Sequence, residues 1–220
     1  MKNKGKLTLC LAALAILTAC SLNWNKIRGS GIIKTESREV TSFSAIAFKS
    51  VGKLRIQQIG KESLTIIAED NILPTFESRV SGQTLYISSN ESSSIDPTQP
   101  IEFVVEVKSL QSLDINGVGS IEVKDIQGKR LSVSLDGVGS VAISGKVDVL
   151  ELNLDGVGSF NGTGLKAKQA KVQNKGVGNA VVNASEELDA TVLGIGSIEY
   201  IGSPQIKESV KGMGVIKKKS

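Results

Sequence analysis

The stretch Leu131–Phe160, "LSVSLDGVGSVAISGKVDVLELNLDGVGSF", contains two copies of a Gly-Val-Gly-Ser step. Each copy follows a segment in which apolar and polar residues alternate. Exact or imperfect copies of the step start 20, 19, 20, 18 and 18 residues apart along the chain. Their paired glycines are Gly117 and Gly119, Gly137 and Gly139, Gly156 and Gly158, Gly176 and Gly178, Gly194 and Gly196, and Gly212 and Gly214. A regular period of this length indicates a structural repeat.

The segments around each step alternate with a period of two, as strands with one buried face do. The inward positions of the first strands are apolar, for example Leu131, Val133, Leu135, Leu150, Leu152 and Leu154. A period of two within strands and of about nineteen between them predicts an all-β, single-stranded, right-handed parallel β-helix with coils of 18–20 residues. Before Ser109 the strand signals are short and separated, which predicts a less regular N-terminal β part.

The glycine pairs are predicted to be stacked corners, because glycine adopts positive φ without a clash from a β-carbon. The apolar residue between the two glycines is expected to pack into the core, and the Ser or Asn after them to bond the turn. A phosphate-binding loop is excluded, since no helical pattern follows any copy and no Gly-Lys-Ser/Thr sequence is present.

The N-terminus has the features of a secretion signal, with three lysines before the apolar run Leu7–Ala19. The run ends in Leu17-Thr18-Ala19-Cys20, which resembles the lipobox of bacterial lipoproteins. The resemblance implies cleavage before Cys20 and lipid attachment to its thiol, whereas an ordinary signal with a chance cysteine is the alternative. We therefore expect a signal peptide at 1–19, a lipidated tether at 20–35 and a β-helical domain at 36–220. Ser21, in place of Asp, favours the outer membrane.

Composition limits the possible functions. Apolar residues make up 40% of the chain and aromatic residues 4%, so we expect a core built from Val, Ile, Leu and Ala. Without residues 1–19 the chain has 23 basic and 22 acidic residues, a balance that argues against nucleic acid as a partner. The chain has no histidine, which excludes Ser-His catalysis and the usual transition-metal sites.

One polar row is the candidate site. Asn116, Asp136 and Asp155 precede three successive glycine steps at equivalent outward positions, and Lys175 follows in the same row. Neighbours in this row should lie about 5 Å apart. The row could bind a cation, act as a glycoside-cleaving carboxylate pair, or consist of ordinary Asp-Gly turns screened by Lys175. We predict no catalytic residue, metal or cofactor.

The chain resembles the head GIN domain family, whose members are described as auto-transporter adhesins. The resemblance rests on the GVGS steps with a preceding "IN" or "LD", on "SFSAIAFKSVGKLRIQQ" (Ser42–Gln58) and on "SGQTLYIS" (Ser81–Ser88). It covers the chain from about Val40 to the C-terminus. It implies a right-handed β-helix and a cell-envelope location, and it supplies no catalytic residues.

Together these features predict a lipid-anchored envelope protein that acts as a non-catalytic adhesion or binding module. Its expected partners are the membrane, through acylated Cys20, and an envelope protein or glycan that the sequence does not identify. The alternatives are an assembly lipoprotein of the envelope and a polysaccharide lyase or hydrolase. The sequence leaves the oligomeric state open.

Overall fold

The computed structural model describes residues 26–90 and 94–219, which form strands and one 3₁₀ turn at Leu73–Thr75. The strands are β1 Lys26–Arg28, β2 Ile33–Arg38, β3 Ala45–Lys49, β4 Val51–Gln58, β5 Ser63–Glu69, β6 Phe76–Ser81, β7 Thr84–Ser89, β8 Ser94–Asp96, β9 Glu102–Val107, β10 Ser112–Ile115, β11 Val118–Leu135, β12 Val138–Leu154, β13 Val157–Asn174, β14 Val177–Val192, β15 Ile195–Ile201, β16 Gln205–Val210 and β17 Met213–Lys218. Among these residues, no helix has the length and apolar character needed to cross a membrane.

Stacked parallel coils form the larger part of the fold, which confirms the predicted β-helix. Strands β11 to β14 each run through most of a coil and pair in parallel with the same strand of the next coil. The pairing is in register at the glycine steps, where Val118 pairs with Val138, Val138 with Val157, and Val157 with Val177. Register shifts, such as the one between Val123 and Ile126, interrupt this pairing within a coil. Every repeat therefore places the same residue at the same point of the solenoid.

The solenoid core consists of ladders of inward side chains, as the alternation predicts. Both strands that flank a glycine step contribute such ladders, and their members are all buried. One ladder is Leu113, Val133, Leu152, Val172 and Ala190, and the other is Ile121, Val141, Phe160, Ala180 and Ile198. A single coil cannot shield its own apolar row, so these contacts between coils supply the stability.

The N-terminal part closes one end of the solenoid. Strand β4 pairs with the first long coil strand β11, and β9 pairs in parallel with β4. Strand β5 then adds antiparallel to β9, and β2 adds antiparallel to β5. The antiparallel strands make this part less regular than the coils, as predicted. Between β5 and β7 lie the 3₁₀ turn at Leu73–Thr75 and strand β6.

Strand pairing starts before residue 36, the predicted start of the β-helical domain. Strand β1 pairs with β8, and β2 pairs with β5, so 26–28 and 33–35 of the predicted tether are sheet residues. Strand β8 lies within the polar, turn-rich segment Ser88–Pro100. Cys20 and the rest of the predicted signal lie outside the described residues. Because all described strands and the buried core lie between Lys26 and Lys219, we treat 26–219 as one folding unit.

A buried carboxylate holds the N-terminal strands against this end. The Glu69 side chain is 1% exposed. It accepts hydrogen bonds from the backbone amides of Gly31 (2.7 Å) and Thr98 (2.9 Å) and from the Thr98 hydroxyl (2.5 Å). Burial raises the pKa of Glu69, but these donors outweigh it and hold the pKa below its ordinary value of 4.5. The carboxylate thus joins two loops that are distant in sequence.

We expect Glu69→Gln to lower the melting temperature at neutral pH, because the amide NH₂ would face backbone donors. The pKa of Glu69 is lower in the folded state than in the unfolded state, so its stabilisation is complete above about pH 4.5 and is lost as the pH falls through the folded pKa. The difference between wild type and variant should therefore shrink in acid. Thermal melts from pH 7 to pH 3 test this, with the exposed Glu77→Gln as control. A difference that does not change with pH would contradict the assignment.

Candidate functional site

The glycine steps align along the solenoid and create one continuous outward surface, which we call the glycine-step face. It has four rows of five to seven residues, each row with one residue from each of a series of successive coils. The charged row is Asn116, Asp136, Asp155, Lys175, Leu193 and Lys211; the aliphatic ladder is Val51, Val118, Val138, Val157, Val177, Ile195 and Met213; the hydroxyl row is Ser120, Ser140, Ser159, Asn179 and Ser197; and the outer row is Glu122, Ala142, Asn161, Val181, Glu199 and Lys217.

The aliphatic ladder points into solvent, which corrects the expectation that these residues pack into the core. From Val118 to Ile195 the exposed fraction of each is 46–51%, and Met213 is 70% exposed. The reason is strand alternation. Ile121 is buried, so Gly119 and Gly117 lie on the same inward phase and the residue between them must point outward. The protein therefore displays an apolar stripe that the monomer does not cover.

Close contact between successive backbones explains the glycines of each step. A β-carbon at Gly137 would lie well under 3.0 Å from the carbonyl oxygen of Gly117 in the preceding coil, and one at Gly139 would overlap the oxygen of Gly119 in the same way. Positive φ contributes only at the second glycine, as at Gly139 with a φ of 155°. The glycines form stacked corners, as predicted. Steric exclusion between coils is the main reason why these positions require glycine, and positive φ is a lesser reason.

A seventh glycine step, which the spacing of the repeat did not reveal, precedes the regular repeat. Val118 pairs with Val51 and Gly119 with Gly52, so Ser50-Val51-Gly52 forms the first rung of the glycine-step face. Gly52 has a φ of 130°, as the later steps lead one to expect. The sequence Ser50-Val51-Gly52 shares its Val-Gly with the later Gly-Val-Gly-Ser steps, and this was the available signal. The step lies 67 residues before Val118, outside the period, because the N-terminal strands are inserted between the two coils.

The structure stacks Asn116, Asp136 and Asp155 on successive coils, as predicted. All three are exposed. The backbone amide of Asp136 donates to the carbonyl of Ile115 (2.9 Å), and that of Asp155 donates to the carbonyl of Leu135 (3.0 Å). These bonds fix the row along the coil corner, so its side chains project side by side.

The charges in this row are offset within the protein. Lys175 Nζ lies 3.5 Å from Asp155 Oδ1, and Asp136 Oδ2 accepts a 3.4 Å hydrogen bond from the Ser134 hydroxyl. Asp114, which the sequence reasoning missed, lies near Asp136, and its burial and then the charge of Asp136 raise its pKa. Its position two residues before Asn116, on the same outward phase, was the available signal. No group of three or more His, Cys, Asp or Glu side chains converges within 26–90 and 94–219.

Asn174 supports the face from inside. It is the polar residue that alternation places in the core, and it is fully buried. Its Nδ2 donates to the carbonyl of Gly178 at 2.8 Å, across the step of its own coil. The Nδ2 hydrogen bond thus fixes the conformation of the glycine step, whereas the buried Oδ1 has no hydrogen-bond partner among the described residues.

This architecture is similar to that of known proteins. The family model described as "Putative auto-transporter adhesin, head GIN domain" matches residues 42–204. A crystal structure of a "putative adhesin" from Bacteroides fragilis is similar, with 28% identity, a TM-score of 0.75, and 88% of this chain and 100% of that chain covered. No protein with a curated description matches.

Two more distant crystal structures share the fold alone. One is a "putative lipid binding protein" from Parabacteroides distasonis, with 24% identity and a TM-score of 0.57 over 89% of this chain and 100% of that chain. The other is a "putative adhesin" from Parabacteroides merdae, with 18% identity and a TM-score of 0.52 over 89% of this chain and 99% of that chain.

Proposed function

This chain belongs to the head GIN domain family, and from that premise we propose that it is a non-catalytic adhesion module, anchored in the cell envelope by lipid on Cys20. The proposal has two parts, a binding surface and an anchor. Family membership and the similar adhesin structure support an adhesive role in general terms. The aliphatic ladder is the observation that carries the first part.

The aliphatic ladder has the properties of a recognition surface. Soluble proteins rarely leave a contiguous apolar patch of more than a few hundred Å² uncovered unless it binds something. Here six exposed aliphatic residues, from Val118 to Met213, stand in one line at the strand spacing, a stripe about 24 Å long. The charged row and the hydroxyl row border it on either side. An apolar centre with a polar rim is typical of protein interfaces.

The backbone beneath the ladder favours binding because it is already ordered. Each ladder residue donates its backbone N–H to the preceding coil, as Val138 does to Gly117 (3.0 Å) and Val157 to Gly137 (3.0 Å). The β-branched valine side chains have few rotamers to lose. A partner would therefore bind with little ordering cost, which raises affinity for a given contact area.

The anchor is the second part of the proposal. The described chain starts at Lys26 in strand β1, next to the closed end of the solenoid, so the segment with Cys20 joins the fold there. We expect Cys20→Ala to release the protein from membranes, because lipid on the cysteine thiol would be the attachment. Fractionation of cells expressing the full chain, with immunodetection, measures this. Membrane retention of the variant at the wild-type level would contradict lipid anchoring.

Adhesion is tested with residues 26–219 coupled to beads and incubated with isolated cell-envelope fragments. We expect saturable binding that Val157→Lys reduces at least tenfold, because the lysine places a charge in the middle of the aliphatic ladder. Ile59→Lys is the matched control, since Ile59 is 45% exposed and lies outside the glycine-step face. Both variants should melt like wild type, as exposed substitutions usually do. Equal binding by wild type and Val157→Lys would assign adhesion to another surface.

A further inference from the structure

We propose that the glycine-step face binds the same face of a second copy of this chain, with the two solenoids antiparallel and related by a two-fold axis. This proposal depends on the proposed adhesive function only for the role that the dimer would have in the cell. The contact itself follows from the order of the side chains along the four rows.

The geometry of a two-fold contact determines which rows meet. When two such faces pack with their solenoid axes antiparallel, the symmetry axis lies in the interface, perpendicular to the solenoids. Each row then lies against itself in reverse order, as isologous contacts require. The aliphatic ladder packs on the aliphatic ladder, and the hydroxyl row on the hydroxyl row.

In one register the six exposed residues of the aliphatic ladder, Val118 to Met213, all lie opposite those of the second copy. The two-fold axis then passes between Val157 and Val177. Val157 then faces Val177 of the second copy, and Val138 faces its Ile195. In the hydroxyl row, Ser159 lies opposite Asn179, which can hydrogen-bond it. The apolar side chains that the monomer leaves half exposed become buried, and this burial is the main driving force.

The charged positions complement one another in this same register. The charged row precedes the bend at the first glycine of each step, so it forms the rim of the contact. There Asp155 lies beside Lys175 of the second copy, and the symmetry repeats the pair. In the outer row, Glu122 faces Lys217 in the same way. The remaining opposed positions in these two rows combine a charged residue with a neutral one or two neutral residues, so like charges never meet. The acidic residues of the charged row lie in its first half and the lysines in its second, which is the pattern that antiparallel self-association needs.

A parallel face-to-face pair lacks this complementarity. Its symmetry axis would run along the solenoids, so the charged row would meet the hydroxyl row of the second copy in the same order. Asp136 would then face Ser140, Asp155 would face Ser159, and Lys175 would face Asn179. No opposite charges would be paired. Electrostatic complementarity sets orientation in protein contacts, so the antiparallel arrangement is favoured.

The size of the face indicates a weak dimer. Six coils and four rows cover about 600 Å² on each copy, at the strand spacing and residue rise of a β-sheet. The total of about 1,200 Å² lies at the lower limit for specific protein contacts. We therefore expect a transient dimer with a dissociation constant on the order of micromolar or weaker. Such contacts become effective when many copies are held at a surface, because avidity multiplies weak affinities.

The antiparallel arrangement also suits adhesion. The N-terminal strands close the same end of the solenoid in each copy, so these strands of the two copies lie at opposite ends of the dimer. Chains anchored through their N-terminal segments could then join two facing surfaces.

A charge-swap experiment tests the contact and its register. Sedimentation velocity of residues 26–219 at increasing concentration measures the dimer of wild type, of Asp155→Lys and of Lys175→Asp. Each variant should self-associate at least tenfold more weakly than wild type, because like charges then meet across the axis. An equimolar mixture of the two variants should form a heterodimer within about threefold of wild-type affinity, since opposite charges face each other again.

A second ion pair between coils provides the control. Lys168 Nζ lies 2.8 Å from Asp148 Oδ1, outside the glycine-step face. Asp148→Lys and Lys168→Asp should therefore dimerise like wild type, although they disturb an equivalent intramolecular pair. Melting curves at low concentration check that every variant folds. Wild type that stays monomeric at millimolar concentration, or variants at Asp155 and Lys175 that dimerise normally, would overturn the proposal.

The two proposals fail in different ways. A dimer in solution without any binding of beads to envelope fragments would refute the adhesive function and leave the self-association intact. Saturable binding to envelope fragments by a chain that never dimerises would refute the self-association. A dimer whose mixed variants fail to recover affinity would show that the copies meet in another register, which also contradicts the proposal.

Discussion

Gly137→Val is expected to destabilise the protein by more than about 3 kcal/mol, at the upper end of what overpacking costs. A β-carbon at Gly137 would overlap the carbonyl oxygen of Gly117, and that oxygen accepts the hydrogen bond from Val138 N–H at 3.0 Å. The valine can be accommodated only if two coils separate at the step, which also breaks this bond. Chemical denaturation followed by circular dichroism measures the loss.

Gly128→Val is the matched control for this prediction. Gly128 also lies in strand β11, but it has no positive φ and a β-carbon there would approach only the Arg130 carbonyl oxygen, at 3.9 Å. Valine favours strands, so this variant should be as stable as wild type or slightly more so. If both substitutions had the same effect, backbone contact between coils would not be the reason for the glycine at 137.

Phe103→Ala is expected to cost about 3–5 kcal/mol, as truncation of a buried phenylalanine usually does. Phe103 is fully buried in strand β9. Its ring packs edge to face against Phe48, with centroids 5.3 Å apart, and against Phe76 at 5.1 Å. The three rings join strands β3, β6 and β9, so the alanine would leave a cavity where the N-terminal part meets the solenoid.

Phe103→Leu should lose less stability than the alanine variant, because it keeps most of the apolar volume. Val118→Ala gives a baseline for an exposed apolar residue and should change the free energy of unfolding by less than about 0.5 kcal/mol. Denaturant titration of all three variants ranks them. A Phe103→Ala variant as stable as Val118→Ala would mean that the aromatic cluster does not link the two parts of the fold.

The repeat was predictable because its physical cause is local. Inward residues such as Leu131 and Leu152 recur with the strand period, and the glycine pairs recur with the coil period, so both can be counted along the chain. The N-terminal strands were less predictable. Strands β2 and β5 pair antiparallel because of long-range packing. Neither strand belongs to the sequence repeat, so their spacing along the chain does not predict that they pair.

The aliphatic ladder shows how a correct pattern can be misinterpreted. The same alternation that places Ile121 inward places Val118 outward, so the sequence already contained the answer. The expectation that these valines are buried followed the general rule for apolar residues and did not take the alternation of the strand into account. A large share of any protein surface is apolar, so that rule does not hold for a single side chain. At the candidate site, the row of Asn116, Asp136 and Asp155 was foreseen, but its neighbour Asp114 was not.

The sequence by itself therefore determined the fold class, the period of the coils, the inward ladders and the stacking of the glycine steps, because all of these follow from spacing along one chain. Only the tertiary structure decided that Val51 lies in line with the exposed valines across an insertion, and that Lys175 is paired with Asp155. Those features depend on which residues of distant coils become neighbours, and a parallel solenoid makes neighbours of residues about nineteen positions apart.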